Sequence, residues 1–508
     1  MQTLDTRTLI SSGRALMPTD AAPTVLQWQD ENGEAQSLEL LKVLRILPEK
    51  RVVALARWRG QHVLAKLFFA RVRWPQHLQR EIDGVQAIVT AGIATPAVLA
   101  SGTSVDGGTG VLLLQYIESS ETVGQRWGRV TAAEREILLR KVVTLIADCH
   151  GRGLVQKDIH LDNFLLSNEQ LPSTQSQNEV VYLLDAAAVS VHPGESHGVD
   201  SVRSLQNLAL LFAQFPVQND AQVPALYALY CSLRPQLEMS VDPCMFSALL
   251  QQNRLARLRV VLDKLYRETS AHACVQKRDR FVVYRRALES PQLQEFLQAP
   301  DDFIARGRLL KNGNSSTVAL VQIAGRDYVL KRYNIKSFWH GLRRALRPSR
   351  AWVSWRNAHM LEMLGVATPQ PLLMMERRCG ALRREAYFLS EFVAGEDVLR
   401  YLAKEPINSA AWERVLTQFG QLFQVMCDYH IVHGDMKATN FISTAAALIV
   451  LDLDAMRKEP DKERFRNAFG RDLQRFIANW QDKPECAARV LTLVEQSGQH
   501  LTSQPADS

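Results

Sequence analysis

The segment "HIVHGDMKATNF", which begins at His430, places Asp435, Lys437 and Asn440 directly after an apolar approach, and "VLDLDAM" follows with Asp452 closing an apolar run. Upstream, "DYVLKRYN" sets Lys331 in a strand-like pattern. The same set is written a second time, earlier in the chain. Lys66 lies in "HVLAKLFF", Asp158 and Asn163 in "GLVQKDIHLDNF", and Asp185 in "VVYLLDAAAV". Phosphoryl transfer from ATP asks for such a set, because it makes few covalent demands on the protein and many demands for positioning. A cation must hold the α- and β-phosphates, carboxylate and amide oxygens must hold Mg²⁺, and an acidic group must face the attacking hydroxyl.

On that chemistry Lys331 is expected on the α/β-phosphates, Asp435 at the acceptor hydroxyl, Lys437 on the γ-phosphate, and Asn440 and Asp452 on Mg²⁺. Asp454, two residues on, is a rival metal ligand. Gly313, Asn314, Ser315 and Ser316 can turn tightly between two strands and offer backbone N–H groups to phosphate. In the first copy Lys66, Asp158, Asn163 and Asp185 take the same roles, and Glu81 on the following helix can pair with Lys66. Each residue alone has a plainer reading. An Asp followed five positions later by Asn is common by chance, a strand lysine is usually solvated, and a strand-end Asp often caps a helix. The ordered set occurring twice decides against those readings.

The elements that must carry these residues also repeat in order. "AGIATPAVL" matches "LGVATPQPLL", and "VRSLQNLALLF" parallels "GRDLQRFIANW". Five islands at nearly constant offset describe a duplicated domain and not a solenoid. The expected fold class is α+β: two tandem protein-kinase-like domains, each with a small β-rich N-terminal lobe and a larger α-helical C-terminal lobe. Helical periodicity in "RLARLRVVLDKLYRETSAHA" and "YRRALESPQLQEFLQ" puts the junction near residues 285–300, giving domains 1–290 and 291–508.

The two copies disagree in instructive places. The first has "LRILPEKRVVALARW", free of glycine, where a phosphate-cradling loop belongs; Asp185 precedes three alanines, and His160 stands in the place of Lys437. The second keeps the loop, but Ser354 stands opposite Glu81, with Arg356 and Asn357 nearby. Neither has the arginine of H-R-D, which is Lys157 in one and Gly434 in the other. A short stretch between Asp452 and "RDLQRFIANW" leaves no room for a peptide-docking loop. That favours a small-molecule or glycolipid acceptor.

The chain of 508 residues is long enough for more than one core, and 46% apolar with 22% charged residues describes a globular protein. The N-terminus shows no secretory signal and no apolar run approaches a membrane span. Seven scattered cysteines, never in a C-x-x-C pair, argue against a disulfide framework or structural zinc and for a reduced, cytoplasmic compartment. The net charge of +7 forms no basic stripe interleaved with stacking aromatics, so nucleic acid is not an expected partner.

"HGDMKATNFI" and "KDIHLDNFLL", each followed by a strand ending in Asp, closely resemble the lipopolysaccharide core kinases of the Kdo/heptose kinase and InaA-like family. The resemblance implies ATP and Mg²⁺ as cofactors, and a heptose or Kdo hydroxyl of the lipopolysaccharide inner core as acceptor. It also implies work on the cytoplasmic side of the inner membrane. The alternative is a tandem pseudokinase scaffold in envelope biosynthesis, which the missing glycine loop of the first copy favours. Two basic segments, "FFARVRWPQHLQR" and "KSFWHGLRRALRPSR", fit peripheral contact with lipid headgroups or phosphorylated sugars, and equally fit solvated helices. In the second, Phe338, Trp339, Arg343, Arg344, Arg347 and Arg350 carry the pattern.

Overall fold

The computed structural model describes residues 2–3, 24–47, 50–69, 73–167, 179–192, 198–235, 243–269, 271–334, 347–380 and 382–503. Phe338, Trp339, Arg343 and Arg344, and the Ala70–Val72 part of the other basic segment, lie outside the described residues. The chain divides into two compact units. The first holds Met1–Gln214 and Asn219–Arg254, the second Phe215–Gln218 and Leu255–Ser508.

In the first unit the alternation in "RVVALARW" buries Val52, Ala54 and Ala56 on one face, as a half-buried strand should. Six strands close into a ring: β1 (Thr24–Asp30), β2 (Ala35–Leu47), β3 (Arg51–Trp58), β4 (Gln61–Phe68), β5 (Val98–Ser104) and β6 (Gly110–Gln115), hydrogen-bonded in the order β1-β2-β3-β4-β6-β5 and back to β1. Trp28 opposite Ser104 and Asp30 opposite Gly102 make the closing seam. A side chain at Gly102 would stand 2.0 Å from the Gln29 carbonyl oxygen, so the seam needs glycine. Small Ala54, Ala56 and Ala65 face large Trp28, Leu67 and Phe69 inside the ring, which lets the interior fill. Helix α1 (Trp74–Thr90) follows β4, and α2 (Ala132–Gly151), opened by a Thr131–Glu134 capping box, leads to the strand Leu154–Gln156.

The second unit has an open antiparallel sheet. Its strands are β8 (His272–Gln276), β9 (Arg280–Arg285), β10 (Arg308–Asn312), β11 (Ser316–Ile323), β12 (Arg326–Tyr333), β13 (Pro371–Cys379) and β14 (Leu382–Glu391), counting Leu154–Gln156 as β7; their order is β8-β9-β13-β14-β12-β11-β10. Helix α3 (Arg350–Leu364), capped by Ser349 and ended at Gly365 in the left-handed region, packs against this sheet. The helical lobe follows. Helix α4 (Ala410–Tyr429) turns Val415, Phe419, Leu422, Phe423 and Met426 into a core shared with α5 (Lys462–Ile477). A sheet bearing a lysine, a helix, two further strands and then a helical lobe make a kinase-like plan.

One expectation needs correcting. The hairpin β8–β9 belongs to the second sheet, since Val282 pairs with Met375 and Tyr284 with Leu373, so the second unit begins well before residue 290. Phe281, Val282, Val283 and Tyr284 are all buried. A strand covered on both faces shows no period of two, and its run merged with the helical patterns around it.

Candidate active site

Lys331 sits on β12 between Val318 of β11 and Phe388 of β14, on the sheet surface that faces the helical lobe. Its ammonium pairs with Asp452, and with Asp454 at 2.9 Å. Arg350, the first residue of α3, reaches the same Asp454 oxygen at 2.8 Å. That gives Arg350 an internal partner and removes it from the expected lipid-facing set. Both cations also lie over the Tyr333 ring, whose hydroxyl meets Ser354 at 2.8 Å. Burial alone would lower the Lys331 ammonium, but Tyr333 and the two carboxylates raise it above its ordinary value. Burial likewise pushes Asp452 upward, and Lys331 wins, holding it below the usual carboxylate range.

Asp452 adopts φ 58°, ψ 56°, a left-handed conformation that a non-glycine residue keeps only when its surroundings hold it there. Thr368 donates to the Val450 carbonyl at 2.8 Å, the Asn440 carbonyl accepts from Leu451 N–H at 2.8 Å, and Asn357 of α3 donates to the Leu453 and Met456 carbonyls. His433 closes the frame. Its Nε2 donates to the Leu451 carbonyl at 2.9 Å, while Nδ1 accepts from Asp435 N–H. That is the neutral tautomer, and burial pushes this imidazole below its ordinary value.

Asp435 stands at the cleft with Lys437 at 3.1 Å and Arg475 at 3.0 Å on its Oδ1. Arg475 also donates to the Gly434 carbonyl, and Gly434 N–H donates to Asp472, so α5 grips the loop at both ends. A side chain at Gly434, where φ is 80°, would stand 2.6 Å from the Ala455 oxygen. Sequence reasoning missed Arg475 and Asp472. Their signal was available: they lie one helical turn apart in the repeated island "GRDLQRFIANW".

Asn440 donates its Nδ2 to the Asp435 carbonyl at 2.8 Å, which fixes the amide and leaves Oδ1 as the atom able to meet a cation. Among the described residues no cluster of three or more His, Cys, Asp or Glu forms a closed metal cage. Mg²⁺ needs none, because it binds through one or two carboxylates with phosphate oxygens and water completing its shell. Asp452, partly exposed, and the Asn440 amide fit that donor set. The segment from Gly313 to Ser316 forms the turn between β10 and β11, and Ser316 is buried. The Gly313 N–H is spent on the Ser316 carbonyl at 3.0 Å, so in this conformation it is not one of the groups free for phosphate.

The first unit repeats part of this frame. Thr95 holds the Leu183 carbonyl at 2.8 Å, Asn163 donates to the Asp158 carbonyl at 2.6 Å, and its own carbonyl accepts from Leu184 N–H. Asp185 is left-handed at φ 55°, ψ 58°. Gln156 replaces His433, donating to the Leu184 carbonyl and accepting from Asp158 N–H. Lys66 pairs with buried Glu81, as expected. Gly84, one turn further along α1, lets the helix backbone meet Ala186, where a side chain would stand 2.1 Å from its oxygen. Arg51, also missed by sequence reasoning, lies against Glu81 and Asp185 in an open cleft that Lys66 and Asn163 also line. His160 contacts Asp162 at 3.9 Å.

Among the described residues no helix is long and apolar enough to cross a membrane. No curated protein matches the chain. Among the solved structures similar to it are the following two. One is WaaP in complex with acyl carrier protein, at 17% identity over 43% of this chain and 89% of that chain, TM-score 0.31. The other is a rhoptry kinase from Toxoplasma gondii, at 13% identity over 51% of this chain and 90% of that chain, TM-score 0.31. Residues 294–492 match the family described as lipopolysaccharide kinase (Kdo/WaaP). That span is similar to this family and contains Lys331, Asp435, Lys437, Asn440 and Asp452.

Proposed function

We propose that the protein transfers the γ-phosphoryl group of ATP to a sugar hydroxyl, of heptose or Kdo, in the lipopolysaccharide inner core, with the second unit as the catalytic one. What supports this reading above all is the hydrogen-bonded set that joins Lys331 to Asp452 and Asn440 to Asp435, with Leu451 donating to the Asn440 carbonyl, inside the span that matches the family. The matched hydrogen bonds of the two units support a tandem duplication, with a second kinase-like domain in residues 1–254. Peripheral work at the cytoplasmic face of the inner membrane, where ATP meets a growing core, belongs to the same proposal.

In the proposed reaction the acceptor hydroxyl donates its hydrogen bond to Asp435. Arg475 sits on Oδ1 and Lys437 bridges both carboxylate oxygens, so as Lys437 turns to the γ-phosphate Oδ2 is the oxygen that would meet the acceptor. The hydroxyl oxygen forms its bond to the γ-phosphorus as the bond to the bridging oxygen of ADP breaks, and the hydroxyl proton passes to Asp435. Lys331 binds the α/β-phosphates and Lys437 the γ-phosphate. Mg²⁺ on Asp452 and Asn440 would supply charge neutralisation across the phosphates.

The test is transfer of labelled phosphate from ATP to dephosphorylated core glycolipid by the purified protein. Incorporation into heptose or Kdo is the expected result. A protein that binds ATP yet transfers nothing would favour the scaffold reading, which the glycine-free hairpin and Ala186–Ala188 of the first unit support.

A further inference from the structure

One departure of the first cleft from the second is an added cation beside its strand-end Asp. Arg51 opens β3, immediately after the glycine-free hairpin, and its Nη1 lies 3.5 Å from Glu81 Oε2 and 3.6 Å from Asp185 Oδ1. The second unit has no counterpart to this contact among its described residues: there Asp452 faces its own lysine. A guanidinium beside Asp185 occupies the side of the carboxylate that a divalent cation would need, and like charges at that range repel. This cleft therefore already holds a cation where Mg²⁺ would sit against Asp185.

The cleft fits phosphate. Arg45, Arg51 and Lys66 line the cleft together, while Val53, Val85 and Leu114 add an apolar wall beside them. A hairpin without glycine cannot bring its backbone up to a phosphate, but two arginine forks can reach one bidentately. Arg51 is held and not locked. Its contacts are longer than N–H···O hydrogen bonds, and its Nε, like Glu81 Oε2, is buried with no hydrogen-bond partner among the described residues. A buried donor without a partner beside an open cleft is what a ligand oxygen would satisfy.

We propose that the first unit binds a nucleoside di- or triphosphate without a divalent cation, with the Arg51 guanidinium taking the metal's place between Asp185 and the phosphates. This rests on reading both clefts as nucleotide sites, and it makes the first unit a binding module whose Asp158 does no chemistry.

The test uses the full chain carrying Lys331→Met, which removes the nucleotide lysine of the second cleft, and titrates it with a fluorescent ADP analogue in excess EDTA and in Mg²⁺. Binding should persist in EDTA with an affinity close to that in Mg²⁺. Adding Arg51→Ala should weaken it at least about tenfold, as expected for losing a hydrogen bond to a charged group. Arg51→Lys, which keeps the charge without the fork, should fall between; it decides the matter alone if Arg51→Ala does not fold. Loss of binding in EDTA would overturn the proposal, as would unchanged affinity in the arginine variants. The readout involves no acceptor. Failed phosphorylation of core glycolipid would therefore leave this inference standing, and its own failure would leave transfer at Asp435 untouched.

Discussion

Asp452 and Asp454 both reach Lys331, but they differ in burial. Asp454 is 5% exposed and holds Lys331 and Arg350 together, whereas Asp452 is 27% exposed and repeats the left-handed geometry of Asp185. On that difference we propose Asp452 as the metal ligand and Asp454 as the residue that positions the lysine. Asp454→Asn should weaken nucleotide binding about tenfold with or without Mg²⁺, while Asp452→Asn should remove only the Mg²⁺-dependent gain. Calorimetric titrations of both variants, with and without the metal, check this. A second residue-scale prediction concerns Arg475, which holds the Asp435 carboxylate and the Gly434 carbonyl. Arg475→Ala should lower kcat about tenfold or more. It should barely shift Tm, because a half-exposed pair contributes only about 0–1 kcal/mol. A large loss of Tm with kcat intact would reverse the assignment.

At the scale of elements, the two units solve one problem differently. In the first, helix α1 supplies the carboxylate for the lysine through Glu81 and the loop after Asp185 carries alanines; in the second, α3 offers Ser354 and the loop supplies Asp454. Helix α2 ends on His150, wedged between Tyr230 at 2.7 Å and Asn207 at 3.1 Å, where burial pushes its imidazole down to about 4. The unfolded chain titrates near about 6.5. Between those values the unfolded state binds a proton that the folded state refuses, so stability falls as pH drops through this window. Tm should decline from about pH 7 toward pH 4.5, and His150→Gln should flatten that decline; parallel curves would contradict it. The lysines, the Asp and Asn pairs and the strand-end Asp were legible in the sequence because they recur in order at fixed local spacing. The closing seam from Trp28 to Ser104, and the reach of Arg51 and Arg475, were not, because long-range pairing leaves no local pattern.

At the scale of the whole molecule, we propose a division of labour between the two units. The second unit keeps a tight turn after β10, a lysine at Lys437 and an arginine on its Asp435; the first replaces these with a glycine-free hairpin, His160 and Asn207. The net charge of +7 suits an anionic acceptor and offers nothing more specific. The most direct measurement is ATP-dependent phosphate transfer to dephosphorylated lipopolysaccharide core by wild type, Asp158→Ala, Asp435→Ala and the double variant. The account predicts transfer near the wild-type rate for Asp158→Ala and a loss of about 10²–10⁴-fold for Asp435→Ala and the double variant. Full transfer by Asp435→Ala, with loss in Asp158→Ala, would contradict it.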